Sequence, residues 1–234
     1  MKKDKGKKII FIVIGIVVLF SFLLFLSEDK TKANYKEDLL NINYEVEGNE
    51  MNLEQYATTN PVVAMQIENY GSIVIELYPE KAENTVNNFI SLVKNGFYDN
   101  NTMHRLVDNF VLQGGDPEGQ GSGGPGYSIK GEFSANGYQN DLKHTKGIVS
   151  MARSSSYDSA GSQFFIMLGT SEHLDGQYAA FGKVIDGWDN IEAIVANEKV
   201  ADESSGKLQK NLIIKKAVVD LKGKIYKEVE KITN

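Results

Sequence analysis

Short runs rich in apolar and β-branched residues recur along the chain after residue 60, and polar or Gly-rich turns separate them. Residues 62–67 and 72–77 form two such runs, and the polar residues 68–71 between them suit a hairpin turn. Further strands are predicted near 104–113, 128–134, 147–152, 163–168 and 180–185, with a closing strand over 212–220. This pattern is typical of a mostly-β domain.

Two segments have the spacing of amphipathic helices instead. From Ala82 to Val93, apolar residues recur about every three or four positions, with Pro79 before the segment as a start signal and Gly96 after it as a stop. A second short helix is predicted at 188–197. Many short strands together with two helices indicate a closed antiparallel barrel, in which no strand edge is exposed to other chains.

The N-terminus has a third pattern, because residues 9–26 are eighteen consecutive residues without charge. At about 1.5 Å per residue, a helix over this run spans ~27 Å, close to the ~30 Å hydrocarbon core of a membrane. We therefore expect a transmembrane signal-anchor helix over 9–27. The lysines of the basic tail 1–8 are expected to stay in the cytoplasm, which puts the rest of the chain outside the membrane. The alternative is a signal peptide cut near residues 31–33, followed by secretion.

Beyond the span, the chain divides into a polar, acidic linker at 28–59, a folded domain at 60–222 and a charged tail at 223–234. Part of the linker can pack as a short helix or strand.

The net charge of −6 combines +4 over the first 27 residues with −10 over the remaining 207. Nucleic acid is excluded as a partner, because binding a phosphate backbone needs a surface rich in Lys and Arg. The absence of cysteine excludes a disulfide scaffold, a thiol nucleophile and a Cys-based zinc site.

Three segments carry the residues with candidate chemistry. They read F-Y-D, M-H-R-L-V and F-V-L-Q-G-G-D between 97 and 116, G-I-V-S-M-A at 147–152, and G-S-Q-F-F-I, H-L-D-G-Q-Y and F-G-K-V between 161 and 184. Aromatic and aliphatic residues alternate there with amides and a single arginine.

Alternate residues of a strand share a face, which puts Gln163 beside Phe165 and Val111 beside Gln113. Each pair joins an apolar wall to an amide. The predicted pocket also contains Arg105 and Leu174. Such a pocket suits a prolyl ring, because it combines an apolar surface with hydrogen-bonding groups and one permanent cation at its rim.

Taken together, the motifs resemble those of the cyclophilins, in the same order and with similar separations, from about Pro61 to Lys222. The resemblance implies a closed antiparallel barrel of eight strands with two flanking helices, and the activity of a peptidyl-prolyl cis/trans isomerase. It implies Xaa-Pro segments of unfolded or exported proteins as partners, and no need for a cofactor or a metal. By resemblance, Arg105 is the catalytic residue. The substrate-binding residues that it implies are Phe110, Val111, Gln113, Ala152, Arg153, Gln163, Phe165, His173, Leu174 and Tyr178. We expect the ectodomain to be a monomer.

Elementary energetics support this chemistry and limit how much of the barrier lowering Arg105 can supply. Rotation about an Xaa-Pro bond breaks amide resonance, against a barrier of roughly 18–20 kcal/mol. In the twisted state the prolyl nitrogen regains a lone pair, so a guanidinium donor favours that state over the planar one. A charge-assisted hydrogen bond contributes ~1.5–3 kcal/mol, whereas an acceleration of ~10⁵-fold needs about 7 kcal/mol. The apolar wall and the amides must therefore supply the remainder.

Four positions depart from the familiar eukaryotic pattern of this family. Val111 stands where Met is usual, Arg153 where Asn is usual, and Tyr178 where His is usual. His173 replaces a Trp associated with cyclosporin contact, so we do not expect cyclosporin to bind. This altered rim keeps open an alternative function, a non-catalytic module of the same fold that binds Pro-containing segments. Phe110 has the wrong parity to share a face with Val111, and its place in the pocket requires a bend in the strand.

Other classes of protein have weaker signals. The G-x-G-x-x-G match at 119–124 is followed by Pro125 and no βαβ pattern surrounds it, so it does not predict a dinucleotide site. The three histidines lack metal-ligand spacing. Scattered Ser, His and Asp residues without a nucleophile motif leave a hydrolase as a minor alternative.

Overall fold

The computed structural model of the chain describes residues 51–233. The basic tail 1–8, the span predicted at 9–27 and most of the linker predicted at 28–59 lie outside the described residues. Over 51–233, no helix has the length and apolar character needed to cross a membrane.

Strands dominate the described part of the chain, with two α-helices. The elements in chain order are β1 (Val62–Ile67), β2 (Gly71–Leu77), α1 (Glu83–Lys94), β3 (Asn101–Val107), β4 (Val111–Asp116), β5 (Ile148–Met151), β6 (Phe164–Met167), β7 (Ala180–Asp186), α2 (Trp188–Asn197), β8 (Val200–Asp202) and β9 (Lys207–Asp220). Single 3₁₀ turns lie at Leu53–Gln55, Ser134–Asn136 and Glu172–Leu174.

The strands form one antiparallel sheet in the order β1-β2-β7-β5-β6-β4-β3-β9, and pairing of β1 with β9 closes it into a barrel. The short strand β8 pairs only with β9 and lies outside this ring of eight. The predicted closed barrel of eight strands with two helices is therefore confirmed over the described residues. The helix predicted at 188–197 has those bounds, and the first helix begins one residue after Ala82.

Two details of the predicted strands are wrong. The segment 128–134 is not a strand and forms only isolated bridges, at Ser128 and Ile129. The bridge partners are Ile232 and Ala160, which lie outside the barrel strands, and at Gly131 a Cβ atom would lie 2.4 Å from the Tyr157 carbonyl oxygen. The run predicted at 104–113 is divided by a turn between β3 and β4.

Aromatic packing fills the barrel beneath α1. The ring of Phe89 on this helix lies 5.1 Å from that of Tyr98, 5.4 Å from that of Phe164 and 4.9 Å from that of Phe181, measured between ring centres. The buried carboxylate of Glu132 accepts the backbone N–H groups at the first turn of α1, from residues 84 and 85. A carboxylate in this place satisfies unpaired donors and complements the helix dipole, which fixes α1 over the barrel end.

Both ends of the described chain pack on the barrel. Leu53 is buried, and its carbonyl accepts a hydrogen bond from Lys222 Nζ at 2.7 Å. The residues after 222 form a strap whose Tyr226 and Val229 pack against the core. Farther along the strap, Ile232 exchanges two backbone hydrogen bonds with Ser128, at 2.7 and 3.0 Å.

Replacement of Tyr226 tests whether the strap stabilises the barrel. Tyr226→Ala removes a half-buried ring and should lower the free energy of unfolding by about 1–3 kcal/mol. Tyr226→Phe should leave it unchanged or raise it by up to about 1 kcal/mol, because the hydroxyl is buried without a partner among the described residues. Urea unfolding measures all three proteins, and Ile225→Ala, at a side chain that is 97% exposed, is the matched control. Equal stability of Tyr226→Ala and Ile225→Ala would contradict the packing of the strap.

Candidate functional site

A second apolar cluster lies on the outer face of the barrel, separate from the core inside it. On β6, Phe164 and Ile166 belong to the interior core, whereas Phe165 and Met167 belong to the second cluster. This division follows from the strand geometry, because successive side chains point to opposite faces of a sheet. The second cluster consists of buried Val111, Ile148, Phe165, Met167, Leu174 and Ala180, with Phe110, Leu142, Ala152 and Tyr178 packed against it.

Strand register aligns the predicted polar residues with this cluster. Arg105 of β3 lies opposite Gln113 of β4, Gln113 lies opposite Phe165 of β6, and Phe165 lies opposite Ser150 of β5. Side chains directly opposite one another on antiparallel strands are about 4.5–5.5 Å apart at Cβ. The register therefore places a cation, an amide and an aromatic ring in one row across the barrel wall.

A chain of hydrogen bonds runs along the polar side of the row. Arg105 Nη1 donates to Gln113 Oε1 at 3.2 Å, and Gln113 Nε2 donates to Gln163 Oε1 at 3.1 Å. Gln163 Nε2 then donates to the carbonyl oxygen of Gly123 at 2.9 Å. Each amide accepts from one neighbour and donates to the next, which fixes the orientation of both glutamines and of the guanidinium.

The Gly-rich loop at the end of this chain is built around the buried carboxylate of Asp116. That carboxylate accepts backbone N–H groups from Glu118, Gln120 and Gly121 at 2.5–2.9 Å. Burial raises the pKa of Asp116, but these donors outweigh it and bring the pKa below its usual value. The loop thus holds the Gly123 carbonyl in place for Gln163, which gives the G-x-G-x-x-G match a structural role.

The β8–β9 hairpin holds the other side of Arg105. The carbonyl oxygen of Ser205 accepts a hydrogen bond from Arg105 Nε at 2.8 Å. The carboxylate of Asp202 shapes this turn by accepting from the backbone N–H of Ser204 at 2.9 Å and from the Ser205 hydroxyl at 2.9 Å. Gly206, at φ +72°, packs so closely on β3 that a Cβ atom would lie 2.6 Å from the Leu106 carbonyl oxygen.

Sequence reasoning did not identify this hairpin as part of the site. The D-E-S-S-G sequence before β9 signals a turn. It does not reveal that the turn folds back on β3, a hundred residues earlier in the chain.

Arg105 is half-buried, and burial lowers the pKa of its guanidinium while the neighbouring Tyr178 raises it. Arginine nevertheless stays charged at any physiological pH. Over residues 51–233, no carboxylate lies within 4 Å of this guanidinium. Its carbon Cζ lies 5.7 Å from the centre of the Phe110 ring, so the cation borders the apolar cluster.

A turn supplies the bend that Phe110 requires. Residues 108–110 separate β3 from β4, and Asn109 has φ 55°. The Phe110 ring stacks on that of His173, with 6.1 Å between centres and 23° between planes. The predicted site residues Phe110 and His173 thus form one wall of the pocket.

Tyr178 also packs against the cluster, and Arg153 contacts its ring. The Tyr178 ring meets the Phe165 ring edge to face at 5.9 Å, and Ala152 N–H donates to the Gln163 carbonyl at 2.9 Å. The structure therefore brings the predicted site residues together around one cluster, with Arg153 one ring away from Phe165.

Buried His144 supports the floor of the pocket and was not identified from the sequence as a site residue. Its Nδ1 lies 3.1 Å from Asp175 Oδ1, its Nε2 lies 3.1 Å from Ser150 Oγ, and its ring stacks on Phe165 at 6.1 Å between centres. Asp175 orients the ring as an Nδ1–H donor, which leaves Nε2 to accept from Ser150. Ser150 is fully buried, so this Ser-His-Asp arrangement presents no nucleophile to a substrate and gives no support to a hydrolase.

Comparison with known proteins gives consistent results. The profile of the family described as "Cyclophilin type peptidyl-prolyl cis-trans isomerase/CLD" matches residues 62–219. Peptidyl-prolyl cis-trans isomerase B of Bacillus subtilis (strain 168) is 47% identical over 121 residues, which cover 52% of this chain and 81% of that protein. A peptidyl-prolyl cis-trans isomerase of Helicobacter pylori (strain ATCC 700392 / 26695) is 40% identical over 141 residues, covering 60% and 79%.

A solved structure of the same family has a similar fold. A crystal structure of a Cryptosporidium parvum cyclophilin type peptidyl-prolyl cis-trans isomerase, in the presence of the dipeptide Ala-Pro, superimposes with a TM-score of 0.60 at 33% identity. The superposition covers 68% of this chain and 98% of that one.

The buried His144 should make the stability of the domain depend on pH. Burial lowers the pKa of His144 from its usual 6.5, although Asp175 opposes the shift, and burial also lowers the pKa of His104. The unfolded chain therefore binds these protons more readily than the folded one, and the free energy of unfolding should fall as the pH drops below about 6.5. Urea unfolding at pH 7.5 and at pH 5.5 measures this loss.

His144→Gln should reduce the loss of unfolding free energy between pH 7.5 and pH 5.5 without abolishing it, because His104 remains. His173→Gln, at the exposed rim, is the control and should keep most of the loss, because burial lowers the pKa of His144 more than the charge of His173 does. The same loss in His144→Gln as in the control would show that His144 does not carry the effect.

Proposed function

The chain belongs to the cyclophilin-type peptidyl-prolyl cis-trans isomerases, and on that premise we propose that it isomerises Xaa-Pro bonds of exported proteins, with Arg105 stabilising the twisted transition state. One observation carries this proposal. A half-buried guanidinium, held by Ser205 and Gln113 and unpaired with any carboxylate of residues 51–233, borders an apolar cluster on the outer face of the barrel.

The prolyl ring enters the outer cluster, where Phe165 and Val111 form the floor and Phe110 and Leu174 the sides. Fixing the ring leaves the preceding carbonyl as the part that turns. The relative from Cryptosporidium parvum, whose structure was determined in the presence of Ala-Pro, supports this kind of ligand.

Arg105 acts on the nitrogen of the turning bond. A guanidinium has five N–H donors, and two of those of Arg105 are engaged by Ser205 and Gln113. These bonds set the orientation of the group before substrate arrives, so that the remaining donors need no reorganisation during the reaction. The prolyl nitrogen accepts such a donor only when it is pyramidal, and the interaction therefore favours the twisted state over both planar states.

The amides of Gln113 and Gln163 serve the carbonyl end of the bond. Their mutual hydrogen bond fixes both side chains at the edge of the pocket. Positioned donors at this edge bind the turning carbonyl in the twisted state. In this mechanism no covalent bond to the protein and no proton relay are needed.

Four altered positions favour a second function, a non-catalytic module that binds Pro-containing segments. Val111 gives a shorter pocket floor than Met would, and His173, Tyr178 and Arg153 alter the rim. A pocket so altered can bind Pro-containing segments without accelerating their isomerisation, and the same experiment distinguishes the two functions.

Substitution of Arg105 tests the mechanism. Arg105→Ala should slow the catalysed exchange of an Ala-Pro peptide by about 10- to 100-fold, the equivalent of one charge-assisted hydrogen bond. Arg105→Lys should not restore the rate, because an ammonium cannot hold the Ser205 and Gln113 bonds together in one plane. Exchange NMR measures the rate without a coupling protease, and circular dichroism checks the fold.

Two results would redirect the proposal. A full rate in Arg105→Ala would remove Arg105 from the mechanism. Binding of the peptide by the unaltered protein without faster exchange would establish the binding module instead.

The proposed location rests on the sequence of residues 1–27. Eighteen uncharged residues follow a cluster of lysines, the arrangement of a single-pass anchor with its cytoplasmic end first. We propose that the isomerase domain lies on the outer side of the cell membrane, where emerging proteins fold.

Cell fractionation with protease digestion checks this location. The intact chain should sediment with membranes, and protease added to intact cells should remove the domain. Recovery of a shortened chain from the medium, beginning near residue 34, would establish signal cleavage and secretion instead. Protection from protease in intact cells would place the domain in the cytoplasm and contradict the proposal.

A further inference from the structure

Arginine is rare in this protein, and both arginines lie beside the outer apolar cluster. We call the surface between Arg105 and Arg153, across this cluster, the groove. The chain contains only Arg105 and Arg153, against 23 lysines. Arg105 borders the outer apolar cluster directly, and Arg153 follows Ala152, which packs against that cluster. Lysine provides positive charge everywhere else.

The guanidinium of Arg153 is held in a cage of three aromatic rings. Its carbon Cζ lies 4.5 Å from the ring centre of Tyr178, 5.0 Å from that of Tyr157 and 5.3 Å from that of Phe133. Its Nε and Nη2 both donate to the carbonyl of Gln177, at 3.1 and 3.0 Å. Planar contacts of this kind select arginine over lysine.

These contacts hold the charge in place without neutralising it. Ring faces and carbonyl oxygens carry only partial charges. Over residues 51–233, no carboxylate lies within 4 Å of the Arg153 guanidinium, whereas seven lysines of the same region form ion pairs with Asp or Glu. Arg153 Nη1 also donates to the carbonyl oxygens of Ser154, at 2.8 Å, and Ser155, at 3.4 Å. All of these acceptors are uncharged, so no carboxylate of residues 51–233 offsets the charge of Arg153.

The charge is close to the reacting group. Tyr178 contacts Arg153 on one side and Phe165, the floor of the pocket, on the other. A single ring thus separates the cation from the prolyl site, a distance comparable with the Debye length of about 8–10 Å in physiological salt. The predicted domain at 60–222 has 20 acidic against 14 basic residues, and two of those basic residues are the arginines beside the outer cluster.

We propose that Arg153 is a specificity-determining residue, which favours Xaa-Pro segments that carry a carboxylate side chain next to the Xaa-Pro pair. The inference rests on the proposed function, because it assigns a substrate class to the same groove. The ring cage keeps the guanidinium at the groove edge, and the acidic side chain of the substrate supplies the partner that the protein itself does not.

The test uses the full chain and a set of Ala-Pro peptides that differ in one flanking residue. Glu, Gln or Lys is placed directly before the Ala-Pro pair in one series and directly after it in the other. A single NMR experiment gives both the exchange rate and the dissociation constant of each peptide. We expect kcat/KM, or affinity, to be about two- to fivefold higher for Glu than for Lys in at least one series, the range of an exposed ion pair. This ratio should shrink at high salt.

Variants locate the effect. Arg153→Gln should bring the Glu-to-Lys ratio to about one, and the ratio is informative even if the absolute rate changes. Arg153→Lys keeps the charge and should retain part of the preference. Lys94→Gln is the matched control, because it removes one exposed positive charge at the end of α1 and should leave the ratio intact.

The outcomes separate this inference from the function on which it rests. Two results would overturn the role of Arg153 while leaving the isomerase in place. One is that the unaltered protein shows the same kcat/KM and the same affinity for the Glu, Gln and Lys peptides. The other is that the preference for Glu survives in Arg153→Gln. Absence of accelerated exchange would refute the isomerase mechanism, and the dissociation constants of the same peptides would still decide whether Arg153 selects acidic segments.

Discussion

The antiparallel register that sets Gln113 opposite both Arg105 and Phe165 is the constraint on which the rest of the site depends. A slip of one residue in any of these strands would turn its side chains to the other face of the sheet, and a slip of β3 would place Arg105 inside the barrel. Closure of the barrel prevents such a slip, because each of the eight strands is paired on both sides. The fold therefore fixes the site before any loop contributes.

Loops and turns then immobilise what the register aligns. The Asp116 loop positions the end of the amide chain, the hairpin after β8 positions Arg105, and buried His144 supports Phe165 from beneath. Each support uses backbone groups or fully buried side chains, which have little freedom to move. In the proposed mechanism, a cation held in this way stabilises the developing lone pair of the prolyl nitrogen without prior rearrangement.

The positions that depart from the familiar family pattern are not independent of one another. Arg153 and Tyr178 are in contact, and His173 stacks on Phe110. Three of the four departing residues thus contact a ring of the site or of one another. These departures lie around the row of Arg105, Gln113 and Phe165 and leave that row intact, so the proposed preference for acidic segments is compatible with the family's chemistry.

The sequence by itself determined the barrel and the two helices, because strand period, helix spacing and turn residues are local properties. The order of the motifs also predicted the site residues, and the structure brings them around one cluster. The sequence also predicted an anchor at 9–27, which lies outside the described residues. Only the tertiary structure decided where Ser205 and His144 act, that the segment 128–134 pairs with no strand, and that Arg153 is caged beside Tyr178. These features depend on contacts between residues far apart in the chain, and local spacing carries no information about which distant backbone group will lie beside a given side chain.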